Sequence, residues 1–355
     1  MNRLSFCFLL LSAFSVYAQK VDTVYVVRYD TIYIKHSDTV GQDYNNIGST
    51  VASMSLLDEL EDMETAVTPP PNPKKINVYH TFGGTHLING QTIETINKKT
   101  MAMIISHRFG RVNAGWREFF GLDQASIRLG FEYGILDNLT IGLGRSTYNK
   151  TFDGYIKYRF LEQKQKGIPL SICLYTSMAI STSKYIYQNR KNYFSSRLSY
   201  TFQLLIARKF NDWFSMQLMP TVVHKNLVAT TQDKNTLFIL GAGIRVKLSK
   251  RMHFLAEYYA RIGDRKNSGG YQDAFAIGLD IVTGGHVFQF QITNAQAMYE
   301  SGFLRETTGK FWKGDIHIGF NISRTWGVGK KAKEERKQKK SLKKSAAMHG
   351  ISSYQ

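Results

Sequence analysis

Arg108, Arg128, Lys157, Arg159, Arg197, Lys209, Arg245, Lys247, Arg261 and Arg324 stand against Glu132, Asp153, Glu257 and Asp280 on the polar phase of segments in which apolar and polar residues alternate. Charges taken out of bulk water either pair with one another or, left unpaired around a pore, draw ions of the opposite sign. Two readings are therefore open for the interior these residues share. In one, Arg128, Glu132, Arg159, Arg197, Arg245, Glu257 and Arg261 line an aqueous lumen whose positive excess favours anions. In the other, the same side chains pair and close the lumen.

Catalytic constellations are harder to find. Ser106 and His107 are adjacent, so on a strand they point to opposite faces, and a nucleophile for His107 has to come from another strand, such as Ser146 or Ser323. His253, Glu257 and Arg261 share one strand face, but four residues separate the first two by about 13 Å, too far for one metal ion. Gly142 and Gly144 lie within a strand pattern with no helix behind them, which excludes a phosphate-cradling loop. The sequence thus supplies no catalytic set, no metal site and no cofactor motif.

The elements that must position these residues are strands. In "SIRLGFEYG", Ile127, Leu129, Phe131 and Tyr133 alternate with Arg128, Gly130 and Glu132; "DIHIGFNIS" repeats the pattern with Ile316, Ile318, Phe320 and Ile322. A period of two, repeated from about Met101 to Trp326, predicts about twelve strands, within a range of 10–14. Short turns such as "ILDN", "FNDW" and "VTGG" alternate with long stretches near 110–123, 184–193, 225–234, 263–271 and 294–312, which are read as polar loops. Sorting of connections by length predicts an all-β fold, a transmembrane antiparallel up-and-down β-barrel, with its short turns in the periplasm. Aromatic residues near the strand ends, among them Phe109, Phe119, Phe120, Trp213 and Trp326, suit the interfacial girdles of such a barrel.

The ends of the chain differ from its centre. Residues 1–18 read as a secretory signal peptide: Arg3, a short apolar run, then Val16 and Ala18 before the cleavage point. Cys173 is then the one cysteine left, so an intramolecular disulfide is excluded. Residues 19–75 form a periplasmic extension. It contains an eight-residue echo (Asp22-Thr23-Val24-Tyr25, Asp30-Thr31-Ile32-Tyr33, Asp38-Thr39-Val40), an acidic amphipathic stretch at 55–66, and the linker "TPPPNPKK". Within 76–328, Asn89-Gly90 marks a hairpin ahead of the first strand, placed either as added strands or at the periplasmic mouth. Residues 329–355 form a basic, irregular tail. The net charge of +19 raises the question of nucleic acid, but no binding motif accompanies it.

Six stretches, "HLINGQTIE", "ISHRFGRVN", "FFGLDQASIRLGFEYGILDNLTIGLGRS", "TFDGYIKYRFL", "ARKFNDWFS" and "DIVTGGHVFQFQITN", together resemble a family of outer-membrane β-barrel proteins of unassigned function from Bacteroidota. The resemblance covers about His80 to Trp326. It implies a closed barrel in the outer membrane and brings neither reaction nor substrate.

The sequence therefore predicts a non-enzymatic outer-membrane barrel with both termini periplasmic. Its role is that of a channel or transporter for small solutes, anions included, or of a structural envelope anchor. The alternative is a barrel hydrolase acting on lipid. Expected partners are outer-membrane lipid and a periplasmic partner reached through residues 19–66 or the basic tail.

Overall fold

The computed structural model describes residues 78, 80–165, 167–185, 191–263, 270–283 and 285–329. The signal peptide at 1–18, the echo, acidic stretch and linker of 19–75, and the tail beyond Gly329 lie outside the described residues.

Alternation in the sequence becomes alternation in space. The described residues form twelve strands: β1 (Thr100–Arg111), β2 (Ala125–Leu136), β3 (Leu139–Ser146), β4 (Thr151–Leu161), β5 (Ser171–Ser181), β6 (Leu198–Lys209), β7 (Phe214–Lys225), β8 (Thr236–Lys247), β9 (Met252–Ile262), β10 (Ala274–Thr283), β11 (His286–Thr293) and β12 (His317–Gly327). Each pairs antiparallel with its sequence neighbours, and β1 pairs with β12 (Met101 opposite Trp326, Ser106 opposite Asn321), so the sheet closes. Closure leaves no edge strand with unpaired backbone groups, the condition for a sheet to stand in hydrocarbon.

Along β2, Ile127, Leu129 and Phe131 are exposed while Ser126, Arg128, Gly130 and Glu132 are buried. The same inversion recurs on β4, where Phe152, Ile156, Tyr158 and Phe160 face out and Asp153 and Lys157 face in. An apolar exterior around buried charge is the reverse of a water-soluble protein and marks the outer wall as lipid-facing.

The connections alternate between two ends of the barrel, mostly short at one and long at the other, with the brief β3–β4 link (residues 147–150) and the longer β4–β5 link (residues 162–170) as exceptions. The turn end carries the links β2–β3, β4–β5, β6–β7, β8–β9 and β10–β11, and the loop end carries the others. The chain reaches β1 from the turn end: Val78 N–H donates to Gln163 O (2.8 Å), and Lys99 N–H donates to Gly134 O (2.9 Å). Gly134 is required by close approach, since a Cβ there would overlap the carbonyl oxygens of Ile96 and Asn97. Gly134→Val is expected to destabilise the barrel by about 1–3 kcal/mol through overpacking. It should also open Lys98 and Lys99 to trypsin, which limited proteolysis of the detergent-solubilised protein will show.

A barrel of eight strands is filled by its own side chains, and one of sixteen holds a channel. Twelve strands leave space that side chains alone do not fill. Here it is filled from both ends, by residues 80–97 and by the β11–β12 loop, which contains the helix α1 (Glu300–Arg305).

Candidate functional site: a lumen closed from both ends

Residues 85–92 form the hairpin that Asn89-Gly90 announces. Leu87 N–H donates to Gly90 O (2.8 Å), Thr92 N–H donates to Thr85 O (2.9 Å), and His86 bridges to Gln91. The hairpin adds no strand to the wall. It stands inside the barrel, with Leu87, Ile88, Asn89, Gly90, Gln91 and Thr92 all buried. Gly90 is not in the left-handed region; it is needed because a Cβ there would overlap the Tyr259 hydroxyl.

A buried hairpin must have its backbone groups satisfied, and the wall supplies the partners. The Glu257 carboxylate on β9 accepts the N–H groups of Ile88 (3.3 Å), Asn89 (2.7 Å) and Gly90 (3.2 Å). Asn89 Oδ1 accepts from Arg108 Nη2 (2.9 Å), and its Nδ2 donates to Thr293 Oγ1 (3.2 Å). Asn321 Nδ2 donates to Ile88 O (3.0 Å), Gln289 Nε2 to Leu87 O (2.5 Å) and Gln217 Nε2 to Gln91 O (2.7 Å). Lys157 Nζ donates to the carbonyls of Thr85 (3.0 Å), Glu94 (3.1 Å) and Thr92 (3.4 Å). Five strands thus grip one hairpin through its main chain, and β1 adds Arg108 through the Asn89 side chain.

The loop after β11 comes in from the loop end. The sequence predicts a polar loop here, yet Ala295, Ala297, Met298, Tyr299 and all of α1 are buried. Its apolar members pay for its place inside: Phe303 meets Tyr259 edge-on with ring centroids 5.1 Å apart. Ser199 Oγ donates to Ser301 Oγ (2.8 Å), while the Arg305 guanidinium donates to the carbonyls of Asn235 (2.8 Å) and Lys234 (2.5 Å). The two insertions touch where Gln91 Nε2 donates to Glu300 Oε1 (2.9 Å).

The wall between them has two characters. Cys173, Tyr175, Leu205, Ala207, Met219, Leu237, Ile239, Leu255 and Tyr259, all on β5–β9, form one buried cluster with Phe82, Leu87, Ile93 and Phe303 of the insertions. Across the lumen, Arg128 on β2 reaches over Gly144 on β3 to pair with Asp153 on β4, and Tyr155 donates to Glu132. A lumen half-lined with aliphatic side chains is a packed core on that side.

The residues singled out in the sequence separate into three groups. Arg128, Glu132 and Glu257 lie deep in the lumen and are committed to Asp153, Tyr155 and the hairpin tip. Arg159 and Arg245 stand toward the turn end: Arg159 pairs with Glu162 (2.8 Å) and Glu94 (3.6 Å), and Arg245 reaches Thr81 O at 3.5 Å. Arg261 and Arg197 stand at the loop end, Arg261 over the Tyr271 ring (5.3 Å). Arg197 lies in the turn before β6 rather than on a strand, donating to Ser181 O (2.8 Å) and Ser183 O (2.6 Å). The structure does not bring these seven residues together as one ring. Arg108 and Lys157, placed inward by the sequence but not among those seven, hold the hairpin together with Asn321 and Gln289, which no sequence motif marks.

His107 faces outward and stacks on Phe320 (4.9 Å), with Phe320 and Ile127 as its register partners. Ser146 pairs instead with Arg128 and Thr151, and Ser323 with Ile104 and Val287. Neither serine is beside His107. Among the described residues no group of three His, Cys, Asp or Glu is placed to hold a metal ion.

Two ionisable groups of the insertions are tuned by their surroundings. Burial lowers His86 to about 4, against the opposing pull of Glu132 at 3.6 Å. Burial pushes Glu300 above the usual carboxylate range, against Arg128. A depressed histidine contributes stability that is complete above its ordinary 6.5 and is lost as the pH falls toward about 4. The raised carboxyl has the opposite sign, its contribution declining as the pH rises above 4.5. Hairpin protection in hydrogen exchange, compared between wild type and His86→Gln, should therefore show a histidine component that disappears between pH 6.5 and 4 and is missing from the variant.

A closed antiparallel barrel with an apolar exterior and buried lumenal charge is a membrane β-barrel. The model of the family described as membrane bound beta barrel domain (DUF5777) matches residues 82–326, and the chain belongs to that family. The matched span begins at Phe82, so the lumenal hairpin falls within the family domain. No curated protein matches the chain. Among solved structures, the NanC porin is similar at 8% identity and a TM-score of 0.41, covering 65% of this chain and 100% of that one. The KdgM porin follows at 9% and 0.39, covering 65% and 99%, and the Acinetobacter baumannii outer membrane protein Omp33 at 8% and 0.34, covering 64% and 98%.

Proposed function

We propose that this chain is a non-enzymatic barrel of the outer membrane, closed at rest by its own hairpin and inward loop, and that it serves as an envelope anchor. The observation that carries this reading is the grip on the hairpin main chain by Lys157, Gln217, Glu257, Gln289 and Asn321. An aqueous pore would have to break that grip and wet the aliphatic wall around Leu205, Leu237 and Leu255, at a cost of about 25 cal/mol for each Å² exposed. The hairpin enters from the turn end, which we place in the periplasm because short connections lie there in barrels of this kind. Both termini then face the periplasm, where residues 19–66 and the basic tail are the segments for a partner. The sequence resemblance to Bacteroidota barrels supports the same compartment.

A second reading, a gated channel for small solutes, is favoured by the polar wall of Arg108, Arg128 and Lys157, which would face any path opened by withdrawal of the hairpin. Planar-bilayer recording of the refolded protein in a salt gradient separates the two. The anchor reading expects an inserted but silent barrel. Steady, anion-selective steps from the wild type would overturn it in favour of the channel.

A further inference from the structure

The turn end carries a cleft of about 590 Å³ between the β2–β3 turn and the β4–β5 connection, a volume within the range of small-molecule sites. One side is apolar: Leu136, Phe160 and Ile168 line it at 42%, 51% and 39% exposure, and Phe160 continues the lipid-facing row of β4. The other side is charged. Arg159 is committed to Glu162 and Glu94, while Asp137 is occupied by the chain leading to β1, its Oδ1 accepting Lys98 N–H (2.9 Å) and its carbonyl the Thr95 hydroxyl (2.7 Å). Lys98 and Lys164 also line the cleft, and neither forms an ion pair with a described residue.

We propose that this cleft binds one glycerophospholipid of the leaflet at the turn end, with its phosphodiester between Lys98 and Lys164 and its acyl chains along Leu136, Phe160 and Ile168. A soluble anion would use the lysines and leave the apolar side wet. A phosphate-bearing lipid satisfies both, because ammonium groups on flexible stems meet the headgroup while hydrocarbon continues into the bilayer. The site is separate from the lumen, so it stands whether the barrel is an anchor or a channel.

Native mass spectrometry of the full barrel, delipidated in detergent and titrated with dihexanoyl-phosphatidylglycerol, tests this. One lipid should bind per barrel, and Lys98→Glu/Lys164→Glu should weaken it at least tenfold. Heat-dependent gel mobility checks that the variant is folded; if it is not, Lys98→Gln/Lys164→Gln takes its place, with the same direction expected. Unchanged binding in a folded double variant would overturn the proposal. So would equal binding of dihexanoylglycerol, which lacks the phosphate, or displacement of the lipid by equimolar inorganic phosphate, which would mark a free-anion site.

Discussion

Replacing Glu257 with Ala should free the hairpin tip and raise amide exchange at Ile88, Asn89 and Gly90 at least about 100-fold. Those three N–H groups converge on one carboxylate in the lumen, and Glu257 is 2% exposed. A buried donor that loses its acceptor costs roughly 1–3 kcal/mol, so the three losses together reach this factor even near the lower bound. The cost is capped by undocking, since a hairpin that leaves the site regains water. Exchange should therefore rise at 85–92 while β6–β8 remain protected. Glu257→Gln should fall between the two, because its amide oxygen can still accept while its amino group opposes the donors. Hydrogen exchange with fragment resolution reads all three proteins, and protection of the tip in Glu257→Ala would show that the carboxylate does not hold it.

Asp153→Ala should have the larger effect on the barrel itself. Arg128 is 3% exposed and spans β3 to reach Asp153, so the substitution strands a guanidinium in the lumen. Removing one partner of a buried pair costs about 3–5 kcal/mol, whereas replacing both with apolar residues of similar size is close to neutral. The temperature at which the folded, fast-migrating gel species disappears should fall clearly in Asp153→Ala and recover in Arg128→Met/Asp153→Leu. Equal losses in the two would show that the pair contributes no more than its volume.

Much of the barrel was legible because a strand's side chains alternate strictly. Ile127 to Glu132 reveal both the strand and its two faces, and the broadly alternating connection lengths point to a barrel whose closure the β1–β12 pairing supplies. The hairpin was legible as well, from Asn89-Gly90, but a turn signal carries no address. Its destination is encoded in residues scattered over the wall, since Glu257, Lys157 and Asn321 become one site only after the sheet has closed. A weaker signal was present. Where β6 runs Leu204-Leu205-Ile206-Ala207 and β8 runs Leu237-Phe238-Ile239-Leu240, alternation fails and both faces are apolar, which requires something apolar inside. The loop from 294 to 316 showed the same mark in Ala295, Ala297, Met298, Tyr299, Phe303 and Leu304, too many for a stretch meant for water.

The positive excess among lumenal residues was legible only as composition. Pairing depends on neighbours two strands apart, as with Arg128 and Asp153, or on the hairpin, as with Arg159 and Glu94. Strand phase places a charge inside the barrel and says nothing of what it meets there.

Occupation of the lumen by the hairpin can be tested directly with Asn89→Cys and Thr293→Cys in a Cys173→Ser background, since Asn89 Nδ2 and Thr293 Oγ1 stand 3.2 Å apart and a short bis-thiol reagent bridges side chains that approach this closely. Treatment of intact membranes with dibromobimane should produce an internal crosslink in most folded barrels, visible as a mobility shift and bimane fluorescence. A folded barrel with both thiols open to a soluble maleimide, and no crosslink, would contradict the closed lumen.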